Sequence, residues 1–381
     1  MEIIIGGDIV PTKSNEILFS EGNINDLLGN ELYSIINESD LSIFNLEVPL
    51  TDFVEPIKKC GPNLIASTKS INALKKLQPV FFTLANNHIL DQGAQGLKST
   101  MDLLHDNNIP FAGAGNNIEE ASKPFIFEKE GLKIGIYCCA EHEFSIASDK
   151  SAGANPFDPL ESLDHIKTLK NECDFVIVLY HGGKEHYRYP SPYLQKVCRK
   201  IADKGADLII CQHTHCIGCE ERWNNSTIVY GQGNFLFDHS DSDFWKTSLL
   251  IKLSIDNSNS NIEYIPIEKT ENTVRMSCAK NASLIMKDFN ERSLQISKGG
   301  FIQDKYRELS EESMWAYLFR FSGKMIYLFV ALNKISHNFL GKKLFKAIYS
   351  EKNILSIVNV IDCEVHREMF LNAYRNYCKK K

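Results

Sequence analysis

An α/β core with a helical appendage is the fold class that this sequence predicts, and three patterns predict it. Over residues 1–270, short apolar runs alternate with stretches of helical spacing, and each run stops at a polar cluster. From about Ile228 the runs at 227–230, 246–255 and 261–267 read as antiparallel strands completing a second sheet, joined by turn-rich segments. Over residues 271–381 glycine and proline nearly vanish, and apolar residues recur three and four apart, which marks a helical accessory region.

The first run, 3–5, stops at Gly6-Gly7-Asp8. Glycines let backbone approach an ion or a phosphate, and a carboxylate just beyond a strand is a hard ligand, although such an Asp also caps turns. The second run, 41–44, ends in Asn45-Leu46-Glu47-Val48-Pro49, where Pro49 terminates the strand and Asn45 and Glu47 share a face. Glu47 is placed either to bridge two cations or to sit solvated. The third run, 80–84, leads into Ala85-Asn86-Asn87-His88-Ile89-Leu90-Asp91-Gln92-Gly93. Asn87 offers a neutral oxygen, His88 a group that moves a proton near neutral pH, and Asp91 a carboxylate close enough to orient that imidazole. Helical spacing follows over 93–106.

The runs 133–139, 174–180 and 207–211 read as buried strands. His181-Gly182-Gly183 ends the second of these, with glycines that keep side chains off the space before the imidazole. Helical spacing covers 190–204. His213 and His215 follow the third strand, where alternate side chains of extended backbone point to one side and can bind one metal or two. Asn224-Asn225 reads as a hairpin turn, and Gly231-Gln232-Gly233-Asn234 as a tight backbone path. Cys216 and Cys219 form a single CxxC without a second pair and read as incidental. The aromatic stripes at 314–340 and 354–377 read as helix-packing core.

Composition bounds these readings. With 381 residues, 43% hydrophobic and 24% charged, the chain is an ordinary globular protein with room for one large domain and an appendage. A net charge of −6 without a basic stripe argues against nucleic acid as a partner. Eleven cysteines in no regular spacing make a disulfide framework unexpected and suit a reducing cytoplasm. The N-terminus lacks the basic and long apolar segments of a signal peptide, and the longest apolar run, 325–332, falls far short of the roughly 20 residues of a membrane helix. A cytoplasmic protein is expected, with contact to the inner membrane surface left open for residues 271–381.

Asp8, Glu47, Asn87, His181, His213 and His215 thus all arise at carboxyl ends of strands in one core, where open α/β sheets collect ligands. An oxygen-bridged site for one or two divalent metal ions, with Mn, Zn or Fe the suited elements, accounts for that common placement.

In this order these motifs resemble the calcineurin-like metallophosphoesterases, and more closely their CapA relatives in bacterial capsule and poly-γ-glutamate synthesis. The matches are Gly7-Asp8, Asn45 to Thr51, Asn86-Asn87-His88 with Asp91 and Gly93, His181-Gly182-Gly183 with Glu185, His213-Thr214-His215, and Gly233-Asn234-Phe235 with Asp238. The resemblance implies a four-layer α/β/β/α sandwich with metals at one edge of the sheets. It places Asp8 and His215 on one metal, Asn87, His181 and His213 on the other, and Glu47 between them, with His88 as proton donor held by Asp91. Two positions depart from the pattern: Val10 stands where a phosphoesterase usually has a histidine, and Glu47 where it usually has an aspartate. The first metal therefore lacks a ligand.

The expected activity is metal-dependent hydrolysis of a phosphoester, on a small molecule or polymer, in cell-envelope polymer synthesis. The same site admits an amide or γ-glutamyl bond, since activated water also attacks carbonyls. A non-catalytic accessory subunit, docking on an envelope-polymer synthase or the membrane surface through residues 271–381, is the third reading.

Overall fold

The structure is a computed structural model and describes residues 1–256, 259–335 and 340–379. Among them, Met1–Gln303 forms one compact unit and Asp304–Lys381 another.

Two sheets organise the first unit. The larger runs in the order Thr273–Met276, Ser260–Thr270, Thr247–Ile255, Glu2–Val10, Leu41–Leu46, Val80–Thr83, Phe111–Ala112, with the short strand Leu236–Phe237 beside the end of Glu2–Val10. The smaller runs Glu220–Trp223, Ser226–Tyr230, Leu208–Gln212, Phe175–His181, Leu132–Ala140, Phe125–Lys129.

Strand alternation explains how they stack. Ile3 and Ile5 enter one core with Ile43, Ile136, Ile177, Leu179 and Ile210, residues drawn from both sheets. Ile4, between them, turns the other way, into a core shared with Leu32 and Ile36 of helix Asn30–Asn37 and Leu97 and Leu104 of helix Gly93–Asp106. On the second sheet Val176, Val178 and Tyr180 face away from Ile177, against Leu194, Val197 and Ile201 of helix Pro192–Asp203 and Ile166 and Leu169 of helix Ser162–Glu172. Each central strand is therefore covered on both faces, which is why it reads as an unbroken apolar run. The result is the four-layer α/β/β/α sandwich, and each fully buried isoleucine in it contributes about 2 kcal/mol.

The helix expected at 93–106 spans Gly93–Asp106. The one expected at 190–204 spans Pro192–Asp203, with Ser191 accepting from the Leu194 amide and proline in the first turn. The antiparallel expectation needs correction for the first of its three strands. Ser226–Tyr230 runs parallel to Leu208–Gln212, because the hairpin through Asn224 gives the antiparallel edge to Glu220–Trp223 and returns the chain in the opposite sense. Thr247–Ile255 and Ser260–Thr270 are antiparallel but extend the first sheet, beside Glu2–Val10.

The compact unit also continues past the division at residue 270. Helix Ala279–Ile296 sets Phe289 against Ile217 and Leu249, and Ile296 and Ile302 join the outer core of the second sheet. In Asp304–Lys381 the core is Leu318, Phe329, Phe345 and Tyr349. Of the stripe expected at 314–340, residues 336–339 lie outside the described residues. The stripe at 354–377 is core only in part: Ile354 and Ile357, partly buried, pack against this cluster, whereas helix Glu351–Asp362 has no fully buried residue and Leu355, Val358, Val365 and Phe370 are exposed. Among the described residues no helix is long and apolar enough to cross a membrane.

Candidate metal centre

The six ligand candidates meet where the two sheets end. The first sheet supplies Asp8 near the end of Glu2–Val10, Glu47 just past Leu41–Leu46 and Asn87 on the turn after Val80–Thr83. The second supplies His181, the last residue of its strand, and His213 and His215 just past Leu208–Gln212. All six are buried.

His181 Nε2 lies 3.0 Å from Asn87 Oδ1, 3.2 Å from Glu47 Oε1 and 3.2 Å from His213 Nδ1. One donor atom each from Glu47, His213 and His215 lies within 4.8 Å of the others. His215 Nδ1 faces two acceptors, Asn234 Oδ1 at 2.8 Å and Asp8 Oδ2 at 3.4 Å, so Nδ1 carries a proton, and Nε2 would become a ligand by giving up its own proton to a cation. Asp8 Oδ1 accepts from Asn45 Nδ2 at 2.7 Å.

Glu47 tests whether a cation suits this set. It is 0% exposed, and neither of its carboxylate oxygens has a hydrogen-bond partner among the described residues. An orphaned buried carboxylate is costly, and a cation among these donors would satisfy it. Ligands about 2.1 Å from one ion at near right angles lie about 3 Å apart, which is the spacing around His181 Nε2. The residues fit a divalent ion with mixed nitrogen and oxygen ligands.

The electrostatics describe the metal-free state, in which a cation would have to displace protons from Glu47 and His215. Burial, with the charge of Asp8, pushes Glu47 up to about 8. Burial alone would lower His215, but the hydrogen bond with Asp8 and the charge of Glu47 outweigh it and hold the imidazole up at about 9. Burial opposes ionisation of Asp8, yet its bond with His215 and nearby imidazole charge keep it below its ordinary value. Burial lowers His181 to about 4 and His213 well below its ordinary value, so both rings are neutral and available as ligands at pH 7.

The pair His213 and His215 converges by a different route from the extended backbone expected. The strand stops at Gln212, and both residues adopt positive φ, 87° and 53°. Such a conformation costs about 1–2 kcal/mol at a non-glycine residue and collects at functional sites. Gly7 also departs from expectation, because what approaches it is backbone. A Cβ there would stand 2.0 Å from Gly233 O, so the two glycine turns must touch for Asn234 to reach His215.

His88 and Asp91 form a second group. His88 Nδ1 lies 2.6 Å from Asp91 Oδ2, and Lys59 Nζ pairs with Asp91 and lies 3.1 Å from the same imidazole nitrogen. Asp91 also accepts from the Leu64 amide at 2.6 Å. The His88 side chain is 13% exposed, more open than the ligand candidates, and its charge reaches Glu47 and His181.

Reading the residues alone misses several contributors. Asn86 and Asn234 look like turn residues, and Asn45 like a strand-end residue, but all three form the scaffold: Asn86 Nδ2 donates to Asn45 Oδ1 at 2.9 Å and to Leu46 O at 2.9 Å. Trp245 stacks on His215 at 4.6 Å, and Lys59 comes from a stretch without regular structure. Only the spacing of Asn45 two residues before Glu47 offered a signal. Glu185, matched together with His181-Gly182-Gly183, makes no hydrogen bond to a ligand imidazole among the described residues.

The profile described as bacterial capsule synthesis protein PGA_cap matches residues 2–239, the segment that contains all six ligand candidates with His88 and Asp91. The PGA biosynthesis protein CapA of Bacillus subtilis (strain 168) is 29% identical over 248 residues, 63% of this chain and 64% of that protein. The capsule biosynthesis protein CapA of Bacillus anthracis is 27% identical over 249 residues, 62% of this chain and 60% of that one. The chain thus spans about three fifths of the length of the curated relatives it matches. A crystal structure described as a novel phosphatase from Mycoplasma pneumoniae shares 17% identity at a TM-score of 0.44, over 71% of this chain and 94% of that one. With its match running from the first strand through the metal-centre turns, the chain belongs to the bacterial capsule synthesis protein family PGA_cap.

Proposed function

We propose that this chain is a metal-dependent hydrolase, acting on a phosphoester in the synthesis or trimming of a capsule or other envelope polymer. The observation that carries the reading is Glu47, a carboxyl group with no hydrogen-bond partner among the described residues, buried among the imidazoles of His181, His213 and His215. One or two ions of Mn, Zn or Fe are the proposed cofactor, with Asn87, His181 and His213 holding one, Asp8 and His215 the other, and Glu47 shared.

A divalent cation held there supplies Lewis acidity toward a phosphoryl oxygen and activates water as nucleophile. The chain's own residues do the rest. Asn234 and Asp8 fix the tautomer of His215, so its Nε2 faces the site. Asp91 accepts from Nδ1 of His88 and so orients the ring, and in the imidazolium form Nε2–H would give its proton to the leaving oxygen, leaving the neutral imidazole. Loss of such a group costs about 10²-fold to 10⁴-fold in rate.

A non-catalytic accessory role is the second reading, and Val10 favours it. Val10 is buried and apolar, in register with Phe237, whose ring edges His215 at 5.6 Å. Carbon therefore lines that side of the imidazole. In either reading we place the chain in the cytoplasm, with the exposed apolar residues of Glu351–Asp362 and Glu364–Lys379 as its contact to a synthase or membrane surface.

Hydrolysis of phosphomonoesters, phosphodiesters and γ-glutamyl peptides by the metal-loaded protein tests these readings. Metal-dependent release of phosphate, abolished in His213→Ala, supports the hydrolase. Cleavage confined to γ-glutamyl peptides moves the activity to the amide bond, and bound metal with no turnover leaves the accessory role.

A further inference from the structure

Arg188 and Arg292 grip consecutive carbonyls of the loop that leaves His215. Arg188 Nη1 donates to Ile217 O at 2.8 Å, and Arg292 Nε donates to Gly218 O at 2.7 Å. The two guanidinium groups are thereby held on neighbouring peptide units, one from the segment after His186 and one from helix Ala279–Ile296. Both residues are half-buried, and neither forms an ion pair with a carboxylate among the described residues. Asp288, one turn before Arg292, is within reach of its charge without pairing, and Asp243, which feels Arg188, is engaged by Lys246 at 2.7 Å.

Two half-buried cations side by side repel each other, and each carries N–H groups with no protein acceptor among the described residues. Burial, together with the charge of Arg188, depresses Arg292 below its ordinary value. A planar donor fork of this kind matches a carboxylate or phosphoryl group in two-point contact.

The position relative to the metal centre gives the pair a use. Arg188 Cζ lies 4.9 Å over the ring of Phe244, and Phe244 stacks on His186 at 5.5 Å. His186 Nε2 accepts from Trp245 Nε1 at 2.8 Å, and Trp245 stacks on His215. A continuous aromatic shelf therefore leads from the metal centre to the arginine pair.

We infer that Arg188 and Arg292 form a binding subsite for an oxyanion carried by the ligand at some distance from the group that meets the metal centre. The subsite stands whether or not the neighbouring cluster holds a cation, so its test uses the full chain stripped of metal with EDTA. Thermal-shift titration at low ionic strength with inorganic phosphate, and separately with glutarate, reads the affinity. Saturable stabilisation by either probe is expected, and the stronger of the two tells a phosphoryl ligand from a carboxylate one. Arg188→Gln and Arg292→Gln should each weaken binding about tenfold. Arg188→Lys and Arg292→Lys, which keep the charge and lose the fork, should fall between wild type and the glutamine variants, and they carry the test if the latter do not fold. No saturable effect of either probe on the wild type, or equal affinity in wild type and the arginine variants, would overturn the assignment.

Discussion

Glu47 Oε1 lies 3.2 Å from His181 Nε2, and neither oxygen of Glu47 accepts a hydrogen bond in the pocket the two residues share. Burying this group without a partner costs the metal-free fold and keeps it largely as the neutral acid, whose proton a cation would replace. Glu47→Gln should remove that cost, leaving the metal-free protein as stable as wild type or more so in urea. The same substitution should weaken Mn or Zn binding by about 100-fold or more, since changes to mere supporting groups already cost 10–100-fold. Unchanged affinity by calorimetry would count against Glu47 as a ligand.

The shifted groups set the pH dependence. Glu47 titrates at about 8 in the folded chain against an ordinary 4.5, so its contribution to stability is complete below pH 4.5 and is lost as pH rises through 8. His215, at about 9 against 6.5, contributes fully below pH 6.5 and loses this as pH rises through 9. His181, lowered to about 4, acts oppositely: its contribution is present above pH 6.5 and is lost as pH falls through 4. The metal-free protein should therefore melt at progressively lower temperature from pH 6.5 to 9. Added cation should raise the melting temperature more at pH 8 than at pH 6, and binding at pH 7 should release at least one proton, read from calorimetry in two buffers. A metal effect independent of pH would contradict these assignments.

Much of the sandwich was legible because burial on both faces writes itself into a strand as an unbroken apolar run, as in Phe175–His181, and because helix Gly93–Asp106 shows its period directly. The site was legible as residues at strand ends, not as geometry. No local pattern announces the positive φ of His213 and His215, which tertiary contacts impose, nor the direction of Ser226–Tyr230, which depends on where the hairpin turns. The scaffold role of Asn86 and Asn234 was hidden because an asparagine in a turn usually bonds its own backbone, while Asn45, within strand Leu41–Leu46, gave only its spacing from Glu47.

Lys59 and Asp91 form a pair with side chains 3% and 0% exposed. Lys59→Met should leave buried Asp91 with only His88 and the Leu64 amide and destabilise the protein by about 3 kcal/mol. Denaturation in urea reads the loss, and a change below about 1 kcal/mol, the value of an exposed pair, would show the contact to be incidental.

At Gly7 the contact with Gly233 leaves no room for a methyl group. Gly7→Ala should cost about 3 kcal/mol and weaken metal binding with it, because the turn that moves carries Asn234 and so the orientation of His215. Lowered stability with unaltered metal affinity would sever that link.

The metal content of the purified chain tests the central claim most directly. After incubation with Mn or Zn and removal of free ion, elemental analysis should find at least one ion per chain in the wild type. His213→Ala should lose more of it than His215→Ala, since His213 shares the better-furnished position with His181 and Asn87. No retained metal in the wild type, or a content that neither substitution changes, would contradict the account.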